Sequence, residues 1–204
     1  MFKVHAVKYC LPFKGYTSKC ISVVGLIKAK YRALGRLVKT WKRRVEVLDD
    51  TFTIDLGMEE VKLAKGSQSE LPSWLIEVLE PEGYVSQIPV TIEEISKYLY
   101  QEKQNATVPG SLVQIPWDFY MRARYTLKKL SGSSSPSDLE NYRRLSYMVN
   151  ELQRLRIRKI VQLASLNVFD QTLINKMTPE ENLVFQDLRL SLTLIGESDG
   201  DSAV

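Results

Sequence analysis

The side chains that most often carry catalysis are scarce or badly spaced in this sequence. His5 is the only histidine, which excludes Ser-His-Asp and Cys-His catalysis and zinc sites built on histidine. Cys10 and Cys20 are the only cysteines, and without a histidine cluster they do not make a zinc site. Lys65–Ser67 has the composition of a phosphate-binding loop, but the order is wrong and the required upstream glycine is missing. We therefore predict no catalytic residue, no metal site and no cofactor.

Pairs of adjacent carboxylates are the remaining candidates for acid–base chemistry. They are Asp49-Asp50, Glu59-Glu60, Glu93-Glu94 and Glu180-Glu181. Neighbours in sequence do not face each other on a helix, and the last two pairs fit the capping of helix N-termini. The sequence therefore indicates a protein that is not an enzyme.

Basic residues are concentrated at the start of the chain. Residues 1–44 hold twelve Lys or Arg and no Asp or Glu, whereas residues 45–204 hold 16 basic and 24 acidic residues. Such asymmetry favours a contact with nucleic acid through phosphate neutralisation. Three interpretations of residues 1–44 remain open: a nucleic-acid tether, an interaction helix, or an upstream extension outside the functional protein. The candidate nucleic-acid contacts are Lys28, Lys30, Arg32, Arg36, Lys42, Arg43 and Arg44.

A second basic cluster lies on a long predicted helix that ends near Leu166. Its members are Arg143, Arg144, Arg154, Arg156, Arg158 and Lys159. They form either a solvated face with ion pairs to acidic helices, or a face that contacts phosphates or another subunit. An apolar stripe on this helix is formed by Leu145, Val149, Leu152 and Leu155, and it is widened by Ile157, Ile160, Val161 and Leu163. A helix apolar around much of its circumference must be covered on several sides, and another subunit would supply part of that cover.

The first half of the chain predicts a helix followed by a small β-rich part. Apolar residues at helical spacing predict a basic amphipathic helix over residues 22–44. Two alternating runs predict a hairpin over residues 45–56. Residues 61–88 predict a strand, a turn, a short helix with Pro72 at its first position, and a returning strand. So small a unit buries little by itself, and we expect Trp74 to anchor its packing.

Three capping boxes predict helices in the second half of the chain, at Thr91–Glu94, Ser137–Glu140 and Thr178–Glu181. Another helix is predicted to start at Pro116, and its aromatic residues are expected to pack the helical core and its contact with the β-rich part. The predicted fold class is α+β, mainly α, with a small N-terminal β-rich module followed by a helical bundle. The predicted parts are a basic N-terminal extension (1–44), a small β-rich domain (45–88), a helical domain (89–196) and a disordered acidic tail (197–204).

The order of these parts resembles the GINS family. The match is carried by VKLAKGSQSELPSWLIEVL, which contains a Leu-Pro-x-Trp-Leu helix at Leu71–Leu75, and by PVTIEEISKYLYQEK. It continues through the basic, Tyr-rich helix Pro116–Leu130 and through YRRLSYMVNELQRLRIRKIVQLA, which is followed by MTPEENLVFQDL. The resemblance covers residues 45–195 and is to the archaeal type with the small β domain first, similar to eukaryotic Psf-type subunits. Residues 1–44 depart from the family pattern.

The resemblance implies a non-enzymatic subunit of the GINS complex, a scaffold for DNA replication. Such a subunit joins a sister GINS subunit in a 2:2 heterotetramer, and the complex stabilises the MCM helicase and a RecJ-like partner. Primase is a further candidate partner, and any DNA contact is expected to be indirect. We expect a soluble protein of the cytoplasm, associated with the nucleoid, or of the nucleus if the source is eukaryotic, with no membrane contact.

Two functions follow from these features. In the first, the chain is a replication scaffold. Its predicted subunit-interface residues, several of them shared with the core, are Leu152, Leu155, Arg156, Ile160 and Leu163. In the second, the chain is a nucleic-acid-binding protein that uses the basic N-terminal arm.

Overall fold

The computed structural model describes residues 23–57 and 60–198, and these form a small β part followed by a helical bundle. The predicted fold class, α+β and mainly α, is confirmed. In chain order the elements are α1 (Val23–Val38), β1 (Lys42–Val47), β2 (Phe52–Asp55), β3 (Glu60–Leu63), β4 (Gln68–Pro72), α2 (Ser73–Leu79), β5 (Val85–Gln87), α3 (Ile92–Gln104), α4 (Phe119–Ser131), α5 (Pro136–Ser165), α6 (Gln171–Ile174) and α7 (Pro179–Ser198).

Some predictions fall outside the part of the chain that the structure describes. His5, Cys10 and Cys20 lie there, as do residues 199–204 of the predicted tail. The division of the chain into domains stays a prediction. None of the described helices combines the length and the apolar character needed to cross a bilayer.

Strand β1 is the centre of a three-stranded antiparallel sheet. It pairs with β4, where Val45 lies opposite Ser69, and with β5, where Val45 lies opposite Gln87. The predicted hairpin over residues 45–56 is therefore wrong, since β2 pairs with β3 instead. Both edges of β1 are taken by strands that lie later in the sequence, and a local pattern of alternation does not identify them.

The short connection after α1 explains a second difference from the predicted elements. The helix predicted over residues 22–44 ends at Val38, and the backbone N–H groups of Thr40 and Trp41 bond back to the helix end at 3.0 and 3.1 Å. Lys42 then begins β1, so Lys42, Arg43 and Arg44 lie on a strand and not on the basic helix.

Helix α2 packs against the strands with one side. Leu75 and Ile76 are buried with the strand residues, and Leu79 packs against them. Trp74 is 47% exposed, so the prediction that it anchors the packing is wrong. Because Leu75, Ile76 and Leu79 form the inward side of this two-turn helix, Trp74 and Val78 are turned away from it.

Helix α5 joins two apolar clusters of the bundle. Its first half contributes to a cluster with α3 and α4, and its second half to a cluster with α6 and α7. The predicted stripe is confirmed, and of the four residues predicted to widen it Ile160 and Leu163 are buried, whereas Ile157 and Val161 are 38% and 40% exposed. The buried stripe residues are Leu145, Val149, Leu152, Leu155, Ile160 and Leu163.

The capping predictions have mixed outcomes. Thr91 accepts a hydrogen bond from the backbone N–H of Glu94 at 3.1 Å, as predicted, but the carboxylate of Glu94 binds Arg122 and does not return to Thr91. The box at Ser137–Glu140 is wrong, because α5 already begins at Pro136. A proline is favoured at the first helical position, and here it sets the start of the helix.

Candidate functional site

Helix α5 carries two cations, Arg156 and Lys159, into the interior of the bundle. They lie three residues apart, on the same side of the helix as the buried stripe. Neither side chain is exposed to solvent. Burial of charge is costly unless each group is paired and hydrogen-bonded. Each of the two cations therefore needs a carboxylate partner inside the bundle.

Arg156 binds two carboxylates and two backbone carbonyls. Its Nε and Nη2 atoms donate to Oε1 and Oε2 of Glu181 at 2.7 and 2.8 Å, in a bidentate pair. Its Nη1 atom donates to Oε1 of Glu102 at 3.2 Å and to the carbonyl of Val113, and Nη2 also donates to the carbonyl of Lys176 at 3.0 Å. One side chain therefore ties α5 to α3, to α7 and to two connecting segments.

Lys159 completes the cluster from the next turn of α5. Its Nζ atom donates to Oε2 of Glu102 at 2.7 Å and to the carbonyl of Ser111 at 3.2 Å. Glu102 thus bridges the two cations, and the Tyr120 hydroxyl donates to Oε1 of Glu181 at 2.7 Å. We call Glu102, Tyr120, Arg156, Lys159 and Glu181 the buried network. Its two cations and two carboxylates balance.

Helix capping and the buried network meet at one residue. The carboxylate of Glu181 accepts from the backbone N–H of Thr178 at 3.0 Å, and the Thr178 hydroxyl accepts from the backbone N–H of Glu181 at 3.3 Å. The capping box predicted at Thr178–Glu181 is confirmed in both directions. The start of α7 is therefore fixed by the residue that holds Arg156.

The pKa shifts favour a charged Arg156 and a protonated Tyr120 in the buried network. Burial opposes the charge of Arg156, but the hydrogen bonds and charges of Glu181 and Glu102 outweigh it and raise its pKa. Burial, followed by the negative charge of Glu181, raises the pKa of Tyr120 far above its ordinary value. Among the described residues, no group of three or more His, Cys, Asp or Glu is placed to hold a metal ion. The network holds helices together, and its hydrogen-bonding groups are already in use.

The sequence predictions for the subunit interface meet this cluster. Leu152, Leu155, Arg156, Ile160 and Leu163 are all buried within this one chain. The expected contribution of the four leucine and isoleucine residues to the core is confirmed, whereas contact of any of the five with another subunit stays a prediction. The expected ion pairs to acidic helices are present for Arg156 and Lys159.

The sequence did not predict that Lys159, Glu102 and Glu181 belong to one network. It does hold a signal for Lys159. This residue falls at helical spacing between Leu155 and Leu163, inside the apolar stripe. A charge at such a position must find a partner in the interior.

The seven predicted nucleic-acid residues are not brought into one surface. Lys28, Arg32 and Arg36 are exposed at successive turns of α1. Lys30 pairs with Asp187 of α7, and Arg44 pairs with Glu70 at 3.3 Å. The other two, Lys42 and Arg43, lie on β1, where Lys42 is exposed and Arg43 is buried.

The β part and the bundle meet at a pair of tryptophans. Trp41 and Trp117 stack edge to face with ring centroids 5.0 Å apart, which agrees with the predicted role of the aromatics in this contact. Arg43 donates to Gln87 at 2.9 Å, and burial lowers its pKa. Burial raises the pKa of the neighbouring Asp118, although Arg122 and Arg43 partly offset this effect. The junction therefore holds two charges that burial disfavours.

An open groove lies between α4, α5 and α7, with Tyr31 of α1 at its rim. Its volume is about 350 Å³. Ala123, Val149 and Ile160 line its buried side, and Glu180 lies beside them. The Oε2 atom of Glu180 is buried and has no hydrogen-bond partner in the described chain. The groove therefore combines an apolar wall with an unsatisfied carboxylate oxygen.

One family model matches the chain. The Sld5 family model, described as the GINS complex protein helical bundle domain, matches residues 89–198. The match covers more than half of the chain and includes α3 to α7, the whole buried network and most of the residues that line the groove. No curated protein matches the chain. Because the matched family model covers more than half of the chain, this chain belongs to the GINS family and is a GINS complex subunit involved in DNA replication.

Proposed function

We propose that this chain is a non-enzymatic scaffold that joins a sister GINS subunit in a 2:2 heterotetramer, and that this complex stabilises the MCM helicase together with a RecJ-like partner. The observation that carries the proposal is the family match across α3 to α7, where buried charges hold the helices in place. Primase is a further proposed partner. An archaeal source, with the complex at the nucleoid, belongs to the same proposal.

The outer face of α5 supports assembly with another chain. This helix of 30 residues is about 45 Å long at a rise of 1.5 Å per residue. It exposes Tyr147, Ile157 and Val161, and the last two alternate with the exposed Arg154 and Arg158. Aromatic residues and arginine are enriched at interfaces. We propose that this face contacts a partner. The buried residues Leu152, Leu155, Arg156, Ile160 and Leu163 then support the face from inside the bundle.

Co-expression with the sister subunit from the same organism tests the assembly. Native mass spectrometry is expected to find two copies of each chain. A chain that remains monomeric in the presence of the sister subunit would contradict the proposal. The helicase role is tested by adding the purified complex, with the RecJ-like partner, to MCM on a forked DNA duplex with ATP. We expect faster unwinding than with MCM alone, and an unchanged rate would refute this part of the proposal.

Direct nucleic-acid binding is the second candidate, and one observation favours it. Lys28, Arg32 and Arg36 are exposed four residues apart on α1, so they form a stripe along one side of the helix. Three aligned cations can neutralise phosphates of one strand. A stripe of this kind binds nucleic acid without reading its sequence.

The test replaces Lys28, Arg32 and Arg36 with glutamine. Substitution is preferable to removal of residues 1–44, because β1 begins at Lys42. DNA binding should weaken, and the slope of log K against log salt should flatten by about 0.9 for each lost contact with duplex DNA. The matched control replaces the exposed Lys128, Lys129 and Arg143, which removes the same charge elsewhere. Equal loss in both triple variants would exclude a specific site on α1.

A further inference from the structure

The groove between α4, α5 and α7 has the walls of a site for an apolar side chain. The half-buried Leu127 and Val184 and the partly exposed Ile157 line it. Its volume of about 350 Å³ lies in the range of small binding pockets. Because the groove is bounded by three helices, an amphipathic helix that lays its apolar side into it is the occupant with the best geometry.

Glu180 makes the groove selective for charge. Its Oε1 atom is 3.4 Å from Nη2 of Arg124, whose side chain is 70% exposed, so this pair is weak. The Oε2 atom has no hydrogen-bond partner in the described chain. The adjacent Glu181 is already bound to Arg156 and to Tyr120, so Arg156 is not shared with Glu180. A buried acceptor without a partner is unfavourable, and more so when it carries charge.

Asp187 and Glu180 place negative charge near Tyr31 at the mouth of the groove. Burial, followed by the charges of Asp187 and Glu180, raises the pKa of the Tyr31 hydroxyl at the groove mouth. The side chain of Glu180 remains 28% exposed, and the terminal torsion of a glutamate is broad. A small rotation therefore turns Oε2 toward an arriving donor. An anionic ligand would meet a carboxylate here, and a neutral apolar ligand would leave its Oε2 atom without a hydrogen bond.

We propose that this groove receives a helix of the sister GINS subunit, which inserts an apolar side chain and presents a lysine or arginine to Glu180. The proposal rests on the proposed function, since it names the partner and the chemistry of one contact within that assembly. It also accounts for the position of Glu180. Its carboxylate oxygen is unsatisfied in the single chain because its partner belongs to another chain.

The first test replaces Glu180 with glutamine, which keeps the shape and removes the charge. The Kd for the separately purified sister subunit should rise at least tenfold, because losing one member of a buried ion pair mainly speeds dissociation. Glu93→Gln is the matched control, since Glu93 is exposed and also lies in the first turn of a helix. Its Kd should stay within twofold of the wild type.

A folding readout separates binding from damage. The isolated Glu180→Gln subunit should unfold at the same or a higher urea concentration than the wild type, because the ion pair with the exposed Arg124 contributes little and the charge on the unbonded Oε2 atom is gone. Weak binding together with unchanged or raised stability supports the proposal. Weak binding that accompanies a lower unfolding midpoint would overturn it, because the loss would then come from the fold.

The second test identifies the occupant. A photo-crosslinking amino acid at Gln153, on the groove rim, should link to a sister-subunit peptide that contains Lys or Arg. The same group at Tyr100, an exposed residue of α3 that does not line the groove, should not give this product. A link to a second copy of this chain, or to its own residues 1–22, would overturn the proposal.

The outcomes distinguish this inference from the proposed function. A wild-type chain that does not bind the sister subunit overturns both. Wild-type binding with an unchanged Kd for Glu180→Gln overturns the inference alone.

Discussion

Replacing Arg156 with methionine would show how strongly the buried network stabilises the bundle. Methionine approximates the length of the arginine stem but cannot bind a carboxylate. Glu181 would lose both of its bonds to the guanidinium and keep only those from Tyr120 and the Thr178 backbone. Lys159 would still hold Glu102 at 2.7 Å. The variant therefore buries one negative charge without compensation.

The magnitude follows from that imbalance. Removing one partner of a buried ion pair costs about 3–5 kcal/mol. For a domain of this size, 1 kcal/mol lowers the melting temperature by about 2–4 °C, so Arg156→Met should lower it by roughly 6–20 °C. Arg158→Met is the matched control, because Arg158 is exposed two residues away on the same helix. A surface change of that kind stays within about 0.5 kcal/mol.

The double variant Arg156→Met/Glu181→Gln makes the reasoning refutable. It restores the charge balance while removing more hydrogen bonds. If unpaired charge causes the loss, the double variant should unfold at a higher urea concentration than Arg156→Met alone. Urea unfolding followed by circular dichroism at pH 7 measures this difference. An Arg156→Met loss below about 1 kcal/mol, or a double variant less stable than the single one, would show that unpaired buried charge does not cause the loss.

Three further predictions are measured in the same unfolding experiment. Thr91→Ala should cost about 1 kcal/mol because it removes a formed cap, whereas Ser135→Ala should change little because Ser135 forms no side-chain cap bond; equal losses would contradict this. Gly66→Ala should lower the free energy of unfolding by about 1–2 kcal/mol because φ is +74° there. Gly35→Ala, in open space on a helix, should raise it by up to about 1 kcal/mol. Opposite signs for the two variants would contradict this explanation. Because burial raises the folded-state pKa of Asp118 above 3.8, wild-type stability gains from this group as the pH falls through that raised value. Asp118→Asn should therefore be more stable than the wild type at pH 7, and the difference should shrink toward pH 4; a difference that grows on acidification would contradict the sign.

Local sequence signals predicted most of the helices and failed on strand pairing. Caps, prolines and apolar spacing are properties of neighbouring residues, so the helix capped by Thr91 and the one capped by Thr178 were both located correctly. The partners of β1 are set by packing with residues 68–72 and 85–87. No local pattern in residues 45–56 reveals that pairing.

The same limit applies to the buried network. Arg156 lies 54 residues from Glu102 and 25 from Glu181, so their bonds depend on how three helices pack. The sequence could have predicted that Arg156 and Lys159 fall on the buried stripe, because their spacing from Leu152 and Leu163 is helical. It could not have shown which acids would meet them. The prediction for Trp74 failed for a local reason. Helical spacing alone does not decide which side of a two-turn helix faces the sheet.

The central place of β1 has a consequence for synthesis on the ribosome. β1 is the first strand of the sheet to emerge, but its two neighbours are β4 and β5. At about 5–20 residues per second, both edges of β1 stay unpaired for roughly 1–5 s, until β4 is complete at Pro72, and the second edge waits until β5 follows at residues 85–87. The bundle waits longer, because Arg156 meets Glu181 only after α7 has begun to emerge. The nascent chain therefore completes its three-stranded sheet before its helical bundle, and each of the two needs residues that are synthesised late.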